Sequence, residues 1–268
     1  MEIFGYILFV LIGLVLGLIG GGGSILGVPV LVYVLGYSPV VGTGYSLFIV
    51  GISSLIGSMA YFKKRMIHLK ATLIFAIPSV ISVFVVRKYL IPAIPDQLIN
   101  ISGFLFTKDL LIMLVFALLM ILASYSMIKV KNDETENETN NADAVRLNYM
   151  LIVVSASVIG FLSGLVGAGG GFLIIPALIF FVKLPMKLAV GTSLTIISIN
   201  SLIGFTGTLG EMEIDWQFLI SVSVLAILGI VIGAYLSNFV SAKKLKPAFG
   251  WFTLMVGLAV IIKEILIK

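Results

Sequence analysis

The sequence predicts an all-α polytopic membrane protein of two inverted repeats, each with four helical segments, the first segment of each repeat broken at a glycine-rich turn. Three observations predict it. Of 268 residues, 60% are apolar and 11% charged, with a mean hydropathy of +1.22, whereas soluble domains carry about 25% charged residues. A soluble protein of this size could not hide so much apolar surface, so lipid must cover it. Second, the motif GLIGGGGSILGVPVL at residues 17–31 returns as GLVGAGGGFLIIPAL at 164–178, 147 positions later. Third, the basic residues divide unequally between the two membrane faces only if each glycine stretch turns back to the face it entered from.

The repeat is established by subtraction. The same offset pairs Gly44, Ser46 and Leu47 with Gly191, Ser193 and Leu194, and Ser54, Leu55, Ile56 and Gly57 with Ser201, Leu202, Ile203 and Gly204, without a gap. Self-similarity held in register over so many residues marks an internal duplication.

Apolar stretches run over residues 3–35, 42–62, 71–86, 110–128, 149–182, 188–209, 218–240 and 248–262. Most have about the twenty residues that cross a bilayer. The first and fifth exceed thirty, about 50 Å as a single helix against a hydrocarbon core of roughly 30 Å. Both contain a glycine run, so both are expected to be broken helices. Pro29 and Pro176 fall in register after the breaks and are expected to kink the short helices that follow.

Residues 1–128 form the first repeat and 148–268 the second. The segment 129–147 between them has no apolar residue from Asn132 to Asn141 and reads as a polar linker. The start Met1-Glu2-Ile3 lacks a basic n-region, so the first segment is expected to stay in the mature protein. Eight plain spans would divide the 17 basic residues nine against eight. With the two glycine stretches re-entrant, one face holds twelve, including Lys63, Lys64, Arg65 and the linker, and the other holds Arg87, Lys88, Lys108, Lys263 and Lys268. The positive-inside rule then makes the linker cytoplasmic and the protein a multi-pass component of the cell membrane.

The chemistry resides in the breaks. Gly20, Gly21, Gly22 and Gly23, and in the second repeat Gly167, Gly169, Gly170 and Gly171, let the backbone turn through positive φ. Ser24 is expected to cap a new helix beginning near Ile25. Helices that start inside the membrane aim unpaired N–H groups and the positive end of the dipole at the break, which suits an anion. Irregular backbone at that depth must line a cavity or be covered by protein. Thr43, Tyr45 and Ser46, answered by Thr192, Ser193 and Thr195, open the next helices, where hydroxyls either orient an oxyanion or bond back to their own turn. Asn200, the partner of Ser53, is either interhelical glue or a ligand contact. The isolated glycines Gly160, Gly229 and Gly233 read as close helix contacts. His68 and Glu264 are expected at the surface and the membrane interface.

Zero cysteines remove disulfide and thiolate chemistry. No HExxH, Walker lysine or GxSxG elbow is present, so an enzyme is not expected, nor a cofactor or metal site. The basic balance follows from topology, without nucleic acid.

The glycine motifs with their following prolines, the GTGYS and VGTS segments, GEMEIDW ending in Trp216 and GIVIGAYLS at 229–237 resemble the sulfite exporter TauE/SafE family over essentially the whole chain. The resemblance implies a secondary permease for small sulfur-containing anions such as sulfite or organosulfonates, usually exported. The chain departs from the pattern where Ser82 and Val86 replace the glycines found at 229 and 233, and where His68 stands opposite Asp215. An anion channel, a permease for another small organic anion and a non-transporting scaffold or receptor are the competing readings. The anion, a coupling proton or sodium ion and any homo-oligomer are left open.

Overall fold

A computed structural model describes residues 2–101, 104–129, 149–237, 239 and 242–266. The expected linker therefore lies outside the described residues, apart from Lys129. The helices are α1 Glu2–Ile19, α2 Gly27–Pro29, α3 Pro39–Lys63, α4 Leu69–Val85, α5 Ile91–Ala93, α6 Lys108–Lys129, α7 Tyr149–Val166, α8 Gly171–Phe181, α9 Met186–Thr206, α10 Trp216–Leu236 and α11 Ala242–Leu266. The short α2 lies between a 3₁₀ turn, Gly22–Leu26, and a π turn, Val30–Val34. A second π turn, Val86–Leu90, joins α4 to α5, so that one apolar rod runs from Leu69 to Ala93. Among the described residues seven helices are long and apolar enough to cross a membrane, and the segments Phe4–Ile19, Gly23–Val34 and Gly171–Phe181 are shorter apolar helices.

Both long stretches are broken where the glycines predict. The first folds back as a hairpin: a methyl group on Gly5 would lie 2.6 Å from the Leu35 side chain, placing the end of the return limb beside the start of α1. The rings of Tyr6 and Tyr37 correspondingly both pack on Phe218, at 6.3 and 5.2 Å between centroids. In the second repeat Ile152 and Val182, the counterparts of Gly5 and Leu35, share one buried cluster. Each return limb ends at a positive φ, 78° at Gly36 and 55° at its counterpart Lys183.

The main helix pairs form a matched set. α1 packs on α10, α7 on α4, α3 on α9 and α6 on α11. The first two pairs are parallel and cross at glycines. A methyl on Gly13 would lie 2.1 Å from Ala226 O and one on Gly17 2.4 Å from Ile230 O; one on Gly160 would lie 2.4 Å from Ser79 O. Gly160 and Ser79 are the repeat partners of Gly13 and Ala226, so the same crossing is built twice from opposite halves. Gly229 and Gly233 face Val10 O and Leu14 O, the close-approach role expected of them. The other two pairs are antiparallel, with Gly51 against Leu202 and Gly204 against Leu47 in one, and Gly250 against Ser124 and Gly257 against Met120 in the other.

Small tethers obey the same offset. His68 caps α4 by accepting from Ala71 N at 3.1 Å, and Asp215 caps α10 by accepting from Phe218 N at 3.0 Å. The backbone N–H of His68 donates to Thr192 Oγ1 (3.0 Å), and that of Asp215 to Tyr45 Oη (2.7 Å). All four residues fall on the 147-residue relation, and each cap is tied to the opposite half.

One element was not anticipated. Strands β1 Gln97–Ile101 and β2 Phe104–Thr107 form an antiparallel hairpin between α5 and α6, with Lys108 and Asp96 paired at its base at 3.0 Å. Two further expectations are corrected. Glu264 is not exposed but buried against α1's hairpin, accepting from Tyr33 Oη at 3.0 Å, with the Lys263 ammonium 4.3 Å from the Tyr33 ring centroid. Arg87 is not among the surface bases; it is 1% exposed. The basic tally thereby becomes twelve against four.

Candidate functional site

The two glycine breaks meet inside the protein. A methyl on Gly21 would lie 2.7 Å from Gly171 O, and one on Gly171 would lie 2.8 Å from Gly21 O. The turns take the positive φ that only glycine adopts without strain: 80° at Gly20, and 71°, 65° and 69° at Gly167, Gly169 and Gly170. Gly170 caps α8, whose first N–H groups have no carbonyl partner within the helix. On the other side Gly21 caps the 3₁₀ turn that contains Gly22 and Gly23. A methyl on Gly23 would strike Ile12 O at 2.7 Å, so this turn lies flat on α1.

Ser24 corrects an expectation. Its hydroxyl donates to Gly21 O at 2.7 Å and accepts no cap bond, because the tight 3₁₀ turn brings that carbonyl within reach of the buried side chain.

The hydroxyl residues divide into three groups. Tyr45 and Thr192 act at the tethers to the caps of α10 and α4, and the single hydroxyl proton of Ser193 is shared between Gly20 O (2.9 Å) and Val190 O (2.8 Å), closing the first break. Asn200 Nδ2 donates to Ser79 Oγ in a short bond between α9 and α4, while its Oδ1 has no partner. Third, Ser46, Ser53, Ser54, Ser163 and Ser201 carry buried hydroxyls without a partner. Two of these line the second break: a methyl on Gly169 would lie 2.5 Å from Ser201 Oγ, and one on Gly170 3.1 Å from Ser163 Oγ. Buried polar groups are normally satisfied, so such a concentration of open hydroxyls marks a place where something polar belongs.

Sequence reasoning missed Arg87. It sits in the π turn after α4, buried, with Nη1 donating to Thr43 Oγ1 at 3.0 Å. Thr43 in turn donates to Val40 O at 2.9 Å. The Gly167 turn covers the guanidinium, since a methyl there would lie 2.6 Å from Nη2, and Gly207 covers its Cβ. The neighbouring Lys88 instead lies over the rings of Phe84 and Tyr89, at 5.4 and 6.0 Å. Arg87-Lys88 reads in sequence as a basic helix end, and nothing local tells the inward residue from the outward one. The available signal was a small residue, Ala234, at the matching place in the second half.

The family model described as sulfite exporter TauE/SafE matches residues 6–260. A "Probable membrane transporter protein" of Xylella fastidiosa (strain 9a5c) is 31% identical over 94% of this chain and 91% of its own length. "Probable membrane transporter protein YunE" of Bacillus subtilis (strain 168) is 27% identical over 97% and 98%, respectively. "Probable membrane transporter protein MJ0441" of Methanocaldococcus jannaschii is 28% identical over 74% and 70%. No solved structure matches the chain.

Proposed function

The chain belongs to the sulfite exporter TauE/SafE family, and on that premise we propose that this multi-pass membrane permease exports small sulfur-containing anions such as sulfite or organosulfonates by alternating access. The two halves are inverted repeats in this reading, the linker is cytoplasmic and the substrate is held between the paired glycine breaks. One observation carries the assignment of the site: the breaks touch at Gly21 and Gly171, where α8 and the 3₁₀ turn begin, beside buried hydroxyls without partners. Helix starts that converge inside a membrane bundle are the arrangement by which transporters with discontinuous helices hold anions. Ser46, Ser163 and Ser201 supply further donors.

Counterflow in proteoliposomes tests the reading. Preloaded unlabelled sulfite should drive saturable uptake of radiolabelled sulfite, and Gly169→Leu, which pushes a side chain onto Ser201 from a positive φ, should abolish it while the protein still inserts. Unsaturable flux without counterflow would establish a channel instead, and no sulfite flux from wild-type protein would overturn the substrate assignment.

A further inference from the structure

The two glycine breaks occupy equivalent places in the repeat but differ in how their polar groups are satisfied. At the first, Val190 packs on Gly20 and Ser193 donates to its carbonyl. At the second, the counterpart of Val190 is Thr43, packed on Gly167, while Ser46, the counterpart of Ser193, has its partnerless hydroxyl against Gly27 of the first half. Arg87 joins this second break, and its counterpart at the first is Ala234, packed against Gly17. The first break is closed and neutral. The second holds a cation, with the open hydroxyls of Ser201 and Ser163 against Gly169 and Gly170.

The open part of the guanidinium is specific. Nη1 is used by Thr43, whereas Nε and Nη2 are buried without a partner. Those two nitrogens share the edge of the guanidinium plane that grips two oxygens of one oxyanion side by side. Thr43, whose one proton goes to Val40 O, fixes Nη1 and leaves that edge to a ligand. No carboxylate among the described residues pairs with Arg87, and a charge held away from water without a counter-ion is strongly unfavourable. Lys88 faces the aromatic rings, so the site offers a single positive charge.

We infer that Arg87, oriented by Thr43, grips one singly charged oxyanion per chain through Nε and Nη2 against the Gly167 turn, off the centre of the repeat. This rests on the permease reading above and adds the anchoring residue, the stoichiometry and the charge class. A monoanion neutralises the guanidinium, whereas a dianion leaves one uncompensated negative charge in a buried place. Monoanionic sulfonates are therefore preferred over sulfate, although the two present similar oxygens.

The test is titration calorimetry and thermal unfolding of the detergent-purified full chain with methanesulfonate and with sulfate, near-isosteric probes of charge −1 and −2. Wild-type protein should bind methanesulfonate at one site per chain, roughly tenfold or more tighter than sulfate. Arg87→Gln should lose the anion-dependent rise in Tm, yet its Tm without anion should match or exceed that of the wild type, because an unpaired buried charge is gone. Arg87→Lys, which keeps the charge without the fork, should bind roughly tenfold more weakly. Tight binding by Arg87→Gln, two sites per chain, or a preference for sulfate would each overturn the inference. If Arg87→Gln fails to fold, the wild-type stoichiometry and charge preference still decide. Failure of the wild type to bind or transport any sulfur anion would instead sink the permease reading.

Discussion

Gly13→Ala should be among the most damaging small substitutions in the chain. The added methyl would lie 2.1 Å from Ala226 O and 2.9 Å from Ala226 C on α10. Carbon–oxygen contacts between packed helices sit at about 3.3–3.6 Å, so the helices must part by about 1.2 Å at this point. The obstacle is backbone, which no rotamer change can move aside. A gap of that size forfeits roughly half of the dispersion energy along the opened crossing, placing the cost near the top of the overpacking range, about 3 kcal/mol. At roughly 2–4 °C per kcal/mol this lowers Tm by roughly 6–12 °C, measured by thermal unfolding in detergent. Gly36→Ala is the control: φ is +78° but nothing lies within 4 Å, so only backbone strain of about 1–2 kcal/mol applies. Gly160→Ala, at the equivalent crossing of α7 on α4, should behave like Gly13→Ala. If Gly13→Ala proved no worse than Gly36→Ala, the close-crossing account would be wrong.

Two further outcomes follow from the repeat relation. Tyr45→Phe and Thr192→Val each remove the acceptor for a backbone N–H, of Asp215 and His68, and should cost about 1–3 kcal/mol each; chemical denaturation that finds only one of them destabilising would refute the equivalence of the two tethers. Because the chain has no cysteine, single exposed cysteines report sidedness without background. Arg65→Cys should resist an impermeant maleimide in intact cells while Glu211→Cys reacts, and the reverse pattern would invert the topology.

The breaks were legible because glycine runs at matched positions, inside stretches too long for one span, admit few alternatives. The close crossings at Gly229 and Gly233 were legible for a similar reason, since small residues four apart on a membrane helix have little other use. Pairing of α1 with α10 and of α7 with α4 was not visible, since it depends on three-dimensional exchange between halves and leaves no periodic mark. Arg87 was hidden by its context. A base beside another base at the end of an apolar stretch matches the signature of a membrane-face anchor, and only the π turn rotates Arg87 inward while Lys88 stays with the rings. Glu264 was misplaced for the same reason: Lys263 beside it suggested an exposed end, whereas Tyr33 of the returning limb covers the carboxylate.

The departures from symmetry carry as much meaning as the symmetry. A duplicated unit supplies two equivalent frames, each with a glycine turn facing α3 or α9 of the other half. Were both frames chemically equal, two anions of like charge would compete for neighbouring places across the Gly21–Gly171 contact, and their repulsion would weaken both. Val190 in place of a threonine, Ala234 in place of an arginine and a Ser193 already bonded to Gly20 O leave the first frame without a cation. In the proposed permease that frame would be a packed wall on which the second rests. Alternating access in an inverted repeat requires the two halves to exchange conformations about a shared centre, but it does not require both to bind. In the proposed permease, one charged frame and one neutral frame would give a bound monoanion a single seat whose exposure changes as the halves exchange, with no second seat to trap it.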